Sequence, residues 1–498
     1  MNGEEAQFYK SPHRVYKLFK GGAEIYLYDT ATNQILRINE HLATGIKQGD
    51  SDIIRAMQRK FGVLKPFHHK KALLPLSLND GDWTKSYERD LKYLIIELTE
   101  DCNMACEYCI MGSHYQFSKK HSLKNISKEN AFSAINLFIS NLSGISTESP
   151  CIAFYGGEPL LRFDLLKQCV SFAKRKFLEL GLSSEKQLQF HLITNGLLLH
   201  KYYSYLREEK FGVEISLDGP RDIHDNYRRD KAGNGTFARI YEFLHGIGPD
   251  EYFNRVSFQC VLTPDLDLRQ IRKFFLSNFP TNVVSMTPVE GYLTDFFERY
   301  RNKPNLLRQF FVNYNLLFKD FINSMRRGVG IELFDCRVFD NTLRRIHSRE
   351  LSHMKQPVHY GMCLPGVQML FVDVEGNLHP CEKISSACII GSAKHGFNFN
   401  KIVNLLEIFE RLIHEIGCHH CWAIRLCRTC FVALRAFQNT EESWKYTIRK
   451  QKELCFSTRK SIARNLKYYT QIMEDNPEIL DEIFEKQTYK GGSSWQGS

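Results

Sequence analysis

From Tyr93 to about residue 290 the chain alternates short apolar runs with amphipathic helical patterns, and nothing else in it limits the fold as strongly. The runs are Leu94–Leu98, Ile152–Tyr155, Phe190–Thr194, Val213–Leu217, Val256–Leu262 and Val283–Thr287. Strands that alternate with helices build a parallel sheet, because each helix carries the chain back to start the next strand in the same direction. Six units are too few for the closed eight-stranded barrel. The expectation is an α/β protein with an open, partial (β/α)6 barrel.

Parallel β/α architectures place their active sites at strand C-termini, and the unusual sequence falls there. The first strand runs into LIIELTEDCNMACEYC, with Cys102, Cys106 and Cys109 spaced Cys-x3-Cys-x2-Cys. Three thiolates can hold a cubane [4Fe–4S] cluster and leave one iron free for another ligand. A zinc site or buried thiols are the alternatives, but structural zinc takes four ligands. Only His114 follows the triad at close range. The second strand ends in Gly156-Gly157-Glu158-Pro159 and the third in Thr194-Asn195-Gly196. The fourth ends in Ser216-Leu217-Asp218-Gly219-Pro220, followed by His224-Asp225-x-x-Arg228. Glycines allow close backbone approach, a carboxylate can take an amino group, and an arginine can clamp a carboxylate. Singly, each of these stretches also reads as a turn.

The chain has 498 residues, enough for two or three domains, and a net charge of +10. No run reaches the roughly 20 apolar residues of a membrane span. Met1 opens a polar segment, so neither a signal peptide nor a membrane partner is expected and the cytosol is the predicted compartment. Fifteen cysteines in such a compartment point to metal ligation rather than disulfides. Residues 1–75 hold 12 Lys/Arg against 7 Asp/Glu, which suits an acidic partner. No dense basic helix or aromatic–basic interleaving of the RNA-binding kind is present, so no nucleic-acid partner is expected.

The triad with Tyr108 before its last cysteine, together with Gly156-Gly157-Glu158-Pro159, resembles the radical S-adenosylmethionine (SAM) superfamily over about residues 93–290. The resemblance implies that Cys102, Cys106 and Cys109 hold a cluster whose free iron chelates SAM. Reductive cleavage of SAM would then give a 5′-deoxyadenosyl radical that abstracts a hydrogen atom. It also implies SAM-site roles for Tyr108, Gly156, Gly157, Glu158, Thr194, Asn195, Ser216, Asp218 and Arg228, with Gly157 and Glu158 at the amino group and Ser216 and Arg228 near the carboxylate.

A second cysteine group follows: Cys363, Gly376-x4-Cys381, Cys418-x2-Cys421-x5-Cys427-x2-Cys430 and Cys455. Two Cys-x2-Cys pairs taken alone would make a zinc knuckle, but that leaves Cys363, Cys381 and Cys455 over. The whole resembles the SPASM domain of peptide- and protein-modifying radical SAM enzymes, except that the last internal spacing is x2 where that family has x3. The resemblance implies one auxiliary [4Fe–4S] cluster on Cys363, Cys381 and Cys430 and another on Cys418, Cys421, Cys427 and Cys455, making three clusters in all. The fourth position of the first auxiliary cluster is left to Cys336, Cys388, a substrate thiolate or nothing. Cys151, Cys169 and Cys260 read as buried small hydrophobes. Glu382, directly after Cys381, stands where sulfatase-maturing relatives carry a proposed base; a surface carboxylate is the alternative.

Residues 13–65 read as strands Val15–Phe19, Glu24–Tyr28 and Ile35–Ile38, then helices capped by Asn39 and Asp52. The stretch AEIYLYDTATNQILRIN resembles the RiPP recognition element, a winged-helix binder of leader peptides. A DNA-binding winged helix or a structural cap are the alternatives. The expected organisation is 1–66 peptide-binding domain, 67–90 linker, 91–292 radical SAM partial barrel, 293–358 helical bridge, 359–458 SPASM domain and 459–498 C-terminal helix and tail. The expected function is a radical SAM maturase that joins a cysteine sulfur to a carbon in a ribosomally made precursor peptide. Its partners would be an acidic, Cys-containing precursor with a leader and an electron donor such as flavodoxin or ferredoxin. Carbon–carbon or carbon–oxygen crosslinking and formylglycine formation share the same radical start. A zinc-containing winged-helix regulator of nucleic acid is the reading from another class.

Overall fold

The computed structural model describes residues 14–66, 74, 82–89, 91–115, 120–142, 149–181, 187–248, 252–291, 294–383 and 388–490. The tail 491–498 and most of the expected linker 67–90 lie outside them.

The N-terminal unit is an antiparallel sheet of β1 (Tyr16–Gly21), β2 (Glu24–Asp29) and β3 (Gln34–Ile38), followed by α1 (Glu40–Gln48) and α2 (Ser51–Phe61). Gly22 turns β1 into β2 with φ of 71°. Asn39 caps α1 by accepting from the Leu42 amide. The cap of α2 is Asp50 rather than the expected Asp52, its carboxylate accepting from the Asp52 and Ile53 amides. Leu27, Ile38, Ala43, Ile46, Ile54 and Met57 form this unit's own core.

The main sheet opens with β4 (Tyr93–Thr99), β5 (Cys151–Gly156), β6 (Gln189–Thr194), β7 (Gly212–Ser216), β8 (Val256–Leu262) and β9 (Val283–Pro288). They pair in parallel and in sequence order. Strands added always on the same side, by right-handed crossovers, keep every connecting helix on one face and curl the sheet into an open barrel section. Alternation then divides the side chains. Leu94, Ile96, Leu98, Ile152, Phe154, Phe190, Leu192, Val213 and Ile215 join the large core under the helices. Tyr93, Ile95, Ala153 and Tyr155 pack instead in a small separate cluster on the inner face.

The cysteine-rich region is not a separate layer. Its strand β10 (Leu370–Val372) pairs in parallel with β4, Leu370 opposite Leu94. β11 (Asn377–His379) then returns antiparallel, Phe371 opposite His379. The expected boundary between barrel and cysteine-rich domain thus runs through one continuous sheet. Because β11 runs back, Cys381 and Glu382 lie toward the N-terminal end of β4, opposite the end that carries Cys102.

Residues 294–350 are largely helical, the longest helix being Pro304–Arg327. The basic C-terminal segment forms a helix Glu441–Asp475, and a second helix starts at Ile479 after Pro477. Within the expected linker, Tyr87 is buried, donates to the Pro365 carbonyl at 2.6 Å and stacks edge-on against Phe397. Among the described residues no helix is long and apolar enough to cross a membrane.

Candidate active site

The loop after β4 is held in place by its neighbours' backbone. Gly157 N–H donates to Thr99 O and Glu158 N–H to Asp101 O, each at 2.8 Å. The two glycines are required by this approach. A Cβ on Gly156 would stand 2.2 Å from Thr99 O, and one on Gly157 2.1 Å from Asp101 O. On the other side, Ala105 N–H donates to Arg229 O at 2.8 Å and Glu107 N–H to Tyr227 O at 3.0 Å. The loop is therefore clamped between the end of β5 and residues 227–229.

This brings Cys102, Cys106 and Cys109 together so that their charges act on one another. Burial pushes the Cys102 and Cys106 thiols up to about 12, so the bare thiols stay protonated and a metal would have to displace their protons. Asn195 Nδ2 lies 3.7 Å from Cys102 Sγ, Arg228 Nη1 3.9 Å from Cys106 Sγ and His121 Nε2 3.5 Å from Cys109 Sγ. Three thiols with amide, guanidinium and imidazole donors at their sulfurs suit an anionic iron–sulfur cluster.

The other expected SAM-site residues form two buried networks. Glu158 is fully buried. Its carboxylate accepts from Thr194 Oγ1 at 2.9 Å, Asn195 N–H at 2.8 Å and Leu160 N–H at 3.1 Å. Burial raises its pKa to about 7 although these donors pull the other way. Asn195 also donates to Asn103 Oδ1 at 2.7 Å. In the second network Asp218 Oδ2 accepts from Arg228 Nε at 3.0 Å and from the Tyr108 hydroxyl. The guanidinium lies 5.2 Å from the Tyr108 ring centroid. Arg228 thus joins strand four to the cysteine loop. Ser216 stands half-buried at the end of β7. Sequence reasoning missed Asn103 and His121, which carry no motif of their own.

It also missed the inner face of the sheet, where the signal was the polar half of the strand alternation. Glu97, Tyr155, His191 and Glu214 are inward-facing, and Glu97, His191 and Glu214 are buried. Burial, then the charge of Glu382, raises the Glu214 pKa to about 8. Glu382 itself has a buried Oε2 without a hydrogen-bond partner. Burial and the charges of Glu382 and Cys109 together raise the Tyr155 pKa.

The remaining cysteines sort into two sets. Cys363, Cys381 and Cys430 act on one another. Cys418 feels Cys421, Cys427 and Cys455, the last reaching in from the long helix. Burial would raise Cys427, but the His359 imidazole and Thr429 outweigh it and lower the thiol to about 7. Cys336 and Cys388 are both buried. All fifteen cysteines are free thiols, and no three His, Cys, Asp or Glu side chains among the described residues close on a single-ion site.

An open parallel barrel section with a three-cysteine loop at the end of its first strand defines a class, and residues 96–276 match the model of the Radical SAM superfamily. That stretch is a Radical SAM domain, and the chain that carries it is an enzyme. It is 24% identical over 354 residues to a cysteine-type anaerobic sulfatase-maturating enzyme of Clostridium novyi, spanning 68% of this chain and 87% of that protein. A serine-type counterpart from Bacteroides thetaiotaomicron is 30% identical over 155 residues, 29% of this chain and 35% of the relative. The solved structure described as native anSMEcpe with bound AdoMet and Cp18Cys peptide shares the fold, with a TM-score of 0.51 at 21% identity over 75% of this chain and 99% of that one.

Proposed function

We propose that this enzyme is a maturase of ribosomally made peptides, working in a reducing compartment such as the cytosol, and that it links a cysteine sulfur of its substrate to a carbon. The observation that carries the reading is the two-ended barrel interior, with the cysteine loop at the strand C-termini and Glu382, one carboxylate oxygen buried and unpartnered, at the opposite end. When bound, SAM and a [4Fe–4S] cluster on Cys102, Cys106 and Cys109 supply hydrogen-atom abstraction.

The chain's own residues do the rest. Gly156, Gly157 and Glu158 hold the SAM-binding edge rigid against the cysteine loop, with Thr194 and Asn195 fixing the Glu158 carboxylate. Asp218 and Tyr108 orient Arg228, and Ser216 stands beside them at the same strand ends. Glu382, with an unpartnered carboxylate oxygen, is placed to take a proton from the substrate. The grouping of Cys430 with Cys363 and Cys381, and of Cys455 with Cys418, Cys421 and Cys427, favours two auxiliary clusters over a zinc knuckle on Cys418–Cys430.

The sulfatase-maturating relatives support a protein or peptide substrate. The match to the Clostridium novyi relative spans 68% of this chain, and the three-stranded N-terminal unit is suited to a leader peptide. That module favours peptide crosslinking over formylglycine formation. The leader, an electron donor of the flavodoxin or ferredoxin type and the linkage itself are parts of this proposal.

The test is anaerobic reconstitution followed by mass spectrometry of co-expressed Cys-rich peptides. A brown protein with about a dozen iron atoms per chain, four for each cubane, deoxyadenosine release, and a peptide that has lost two hydrogens and one alkylatable thiol are expected. A colourless zinc protein would sink the reading; a peptide aldehyde would replace crosslinking by formylglycine formation.

A further inference from the structure

The turn between β2 and β3 lies over a cleft of about 330 Å³, walled by Asn33, by residues of the segment 341–350, one of them the acidic Glu350, and by Tyr360, Arg425 and Arg428. Five of the lining residues are arginines: Arg344, Arg345, Arg349, Arg425 and Arg428. Of these, Arg344 pairs with Asp340 at 3.2 Å. The other four have no carboxylate partner among the described residues.

What they do have is carbonyls. Arg345 donates to Leu426 O at 2.8 Å and Arg349 to Asn33 O at 2.7 Å. Arg425 is 6% exposed. It donates to the carbonyls of Ala31, Ser352 and Glu350 and to Ser352 Oγ, and its buried Nε has no partner. Arg428 is exposed and makes no hydrogen bond or ion pair with a described residue. Carbonyl oxygens satisfy donors without cancelling charge. Guanidinium groups gathered around one partly desolvated cleft repel one another until an anion joins them. Their planar forks match carboxylates bidentately, and the volume falls within the range of formed ligand sites.

We propose that this cleft binds an acidic run of the precursor peptide, an inference that rests on the reading of the enzyme as a peptide maturase. Two observations select a peptide. β1 packs against the helix Glu441–Asp475, whereas no strand pairs with the outer side of β3 among the described residues. β3 begins at Gln34, the residue after Asn33 on the cleft wall. A peptide added along β3 therefore runs off into the arginines. The second observation is Arg428 itself, which stands between Cys427 and Cys430, cysteines of two different thiol sets. Acidic side chains bound there would lie against the loop that joins the proposed auxiliary clusters and would fix the direction of the chain past them.

The test is fluorescence anisotropy on the full-length reconstituted enzyme, with a fluorescein-labelled peptide carrying a glutamate block and its glutamine twin. The glutamate peptide should bind at least about tenfold more tightly, and the Arg345→Gln/Arg428→Gln double variant should lose that preference. Should the double variant fail to fold, Arg428→Gln alone serves, because Arg428 makes no internal bond; it should cut the preference severalfold. Equal affinity for the two peptides, a preference that survives these substitutions, or displacement of the glutamate peptide by equimolar inorganic phosphate would overturn the proposal. Deoxyadenosine release is measured on the same preparation. A glutamate preference without deoxyadenosine counts against the maturase reading and leaves the acidic-ligand site standing. Deoxyadenosine without the preference counts against the cleft alone.

Discussion

Cys102, Cys106 and Cys109 share one loop, clamped by backbone hydrogen bonds to the end of β5 and to residues 227–229, while the second cysteine group is gathered from a hairpin, several single-turn segments and a long helix. The first arrangement is local. Its partners are fixed by where the strands end, and only glycine fits the contact points at 156 and 157. The second is non-local: Cys455 reaches Cys427 from a helix, and Cys430, close in sequence to Cys427, belongs with Cys363 and Cys381. A local site should fail all at once, and a dispersed one piece by piece.

Four experiments can break or sharpen that contrast. Replacing Cys102, Cys106 and Cys109 together by Ala should abolish deoxyadenosine formation while about eight of a dozen iron atoms remain; activity above the metal-free background would refute the local site. Cys455→Ser should remove about four iron atoms and stop peptide product while SAM cleavage persists. An unchanged iron count would dissociate the helix from the second set.

Gly157→Ala forces a methyl against Asp101 O and should cost about 1–3 kcal/mol by overpacking, read as a lower melting temperature together with loss of the triad's iron. The effect expected at Glu214 is confined to a pH window. Its folded pKa, about 8, lies above the ordinary 4.5, so the folded protein binds the extra proton and stability falls as pH rises through that window. Glu214→Gln should remove this penalty. Its advantage over the parent should be absent near pH 4.5 and grow to at most a few kcal/mol above about pH 8. A pH-independent difference in melting would show that Glu214 does not titrate there.

The βα alternation and the strand-end motifs were legible because each rests on neighbouring residues. Leu94, Ile96 and Leu98 face the helices for the same reason that Ile95 and Glu97 do not. The cap at Asp50 was missed by two positions because Asp52 offers the same side chain one half-turn on. The roles of Glu158 and Arg228 read from their motifs as direct ligand contacts. In the fold their polar atoms are largely taken up by Thr194, Asn195, Asp218 and Tyr108, partners that no spacing rule joins to them.

The sequence alone determined the parallel β/α order and the end of the sheet that carries the triad, since period and spacing act within a few residues. Tertiary structure alone decided that β10 extends the barrel sheet, that Glu382 enters from the opposite end to Cys102, and that arginines from two segments meet under the β2–β3 turn. Each depends on contacts between residues hundreds of positions apart. The packing of whole elements sets such contacts, and no local pattern encodes them.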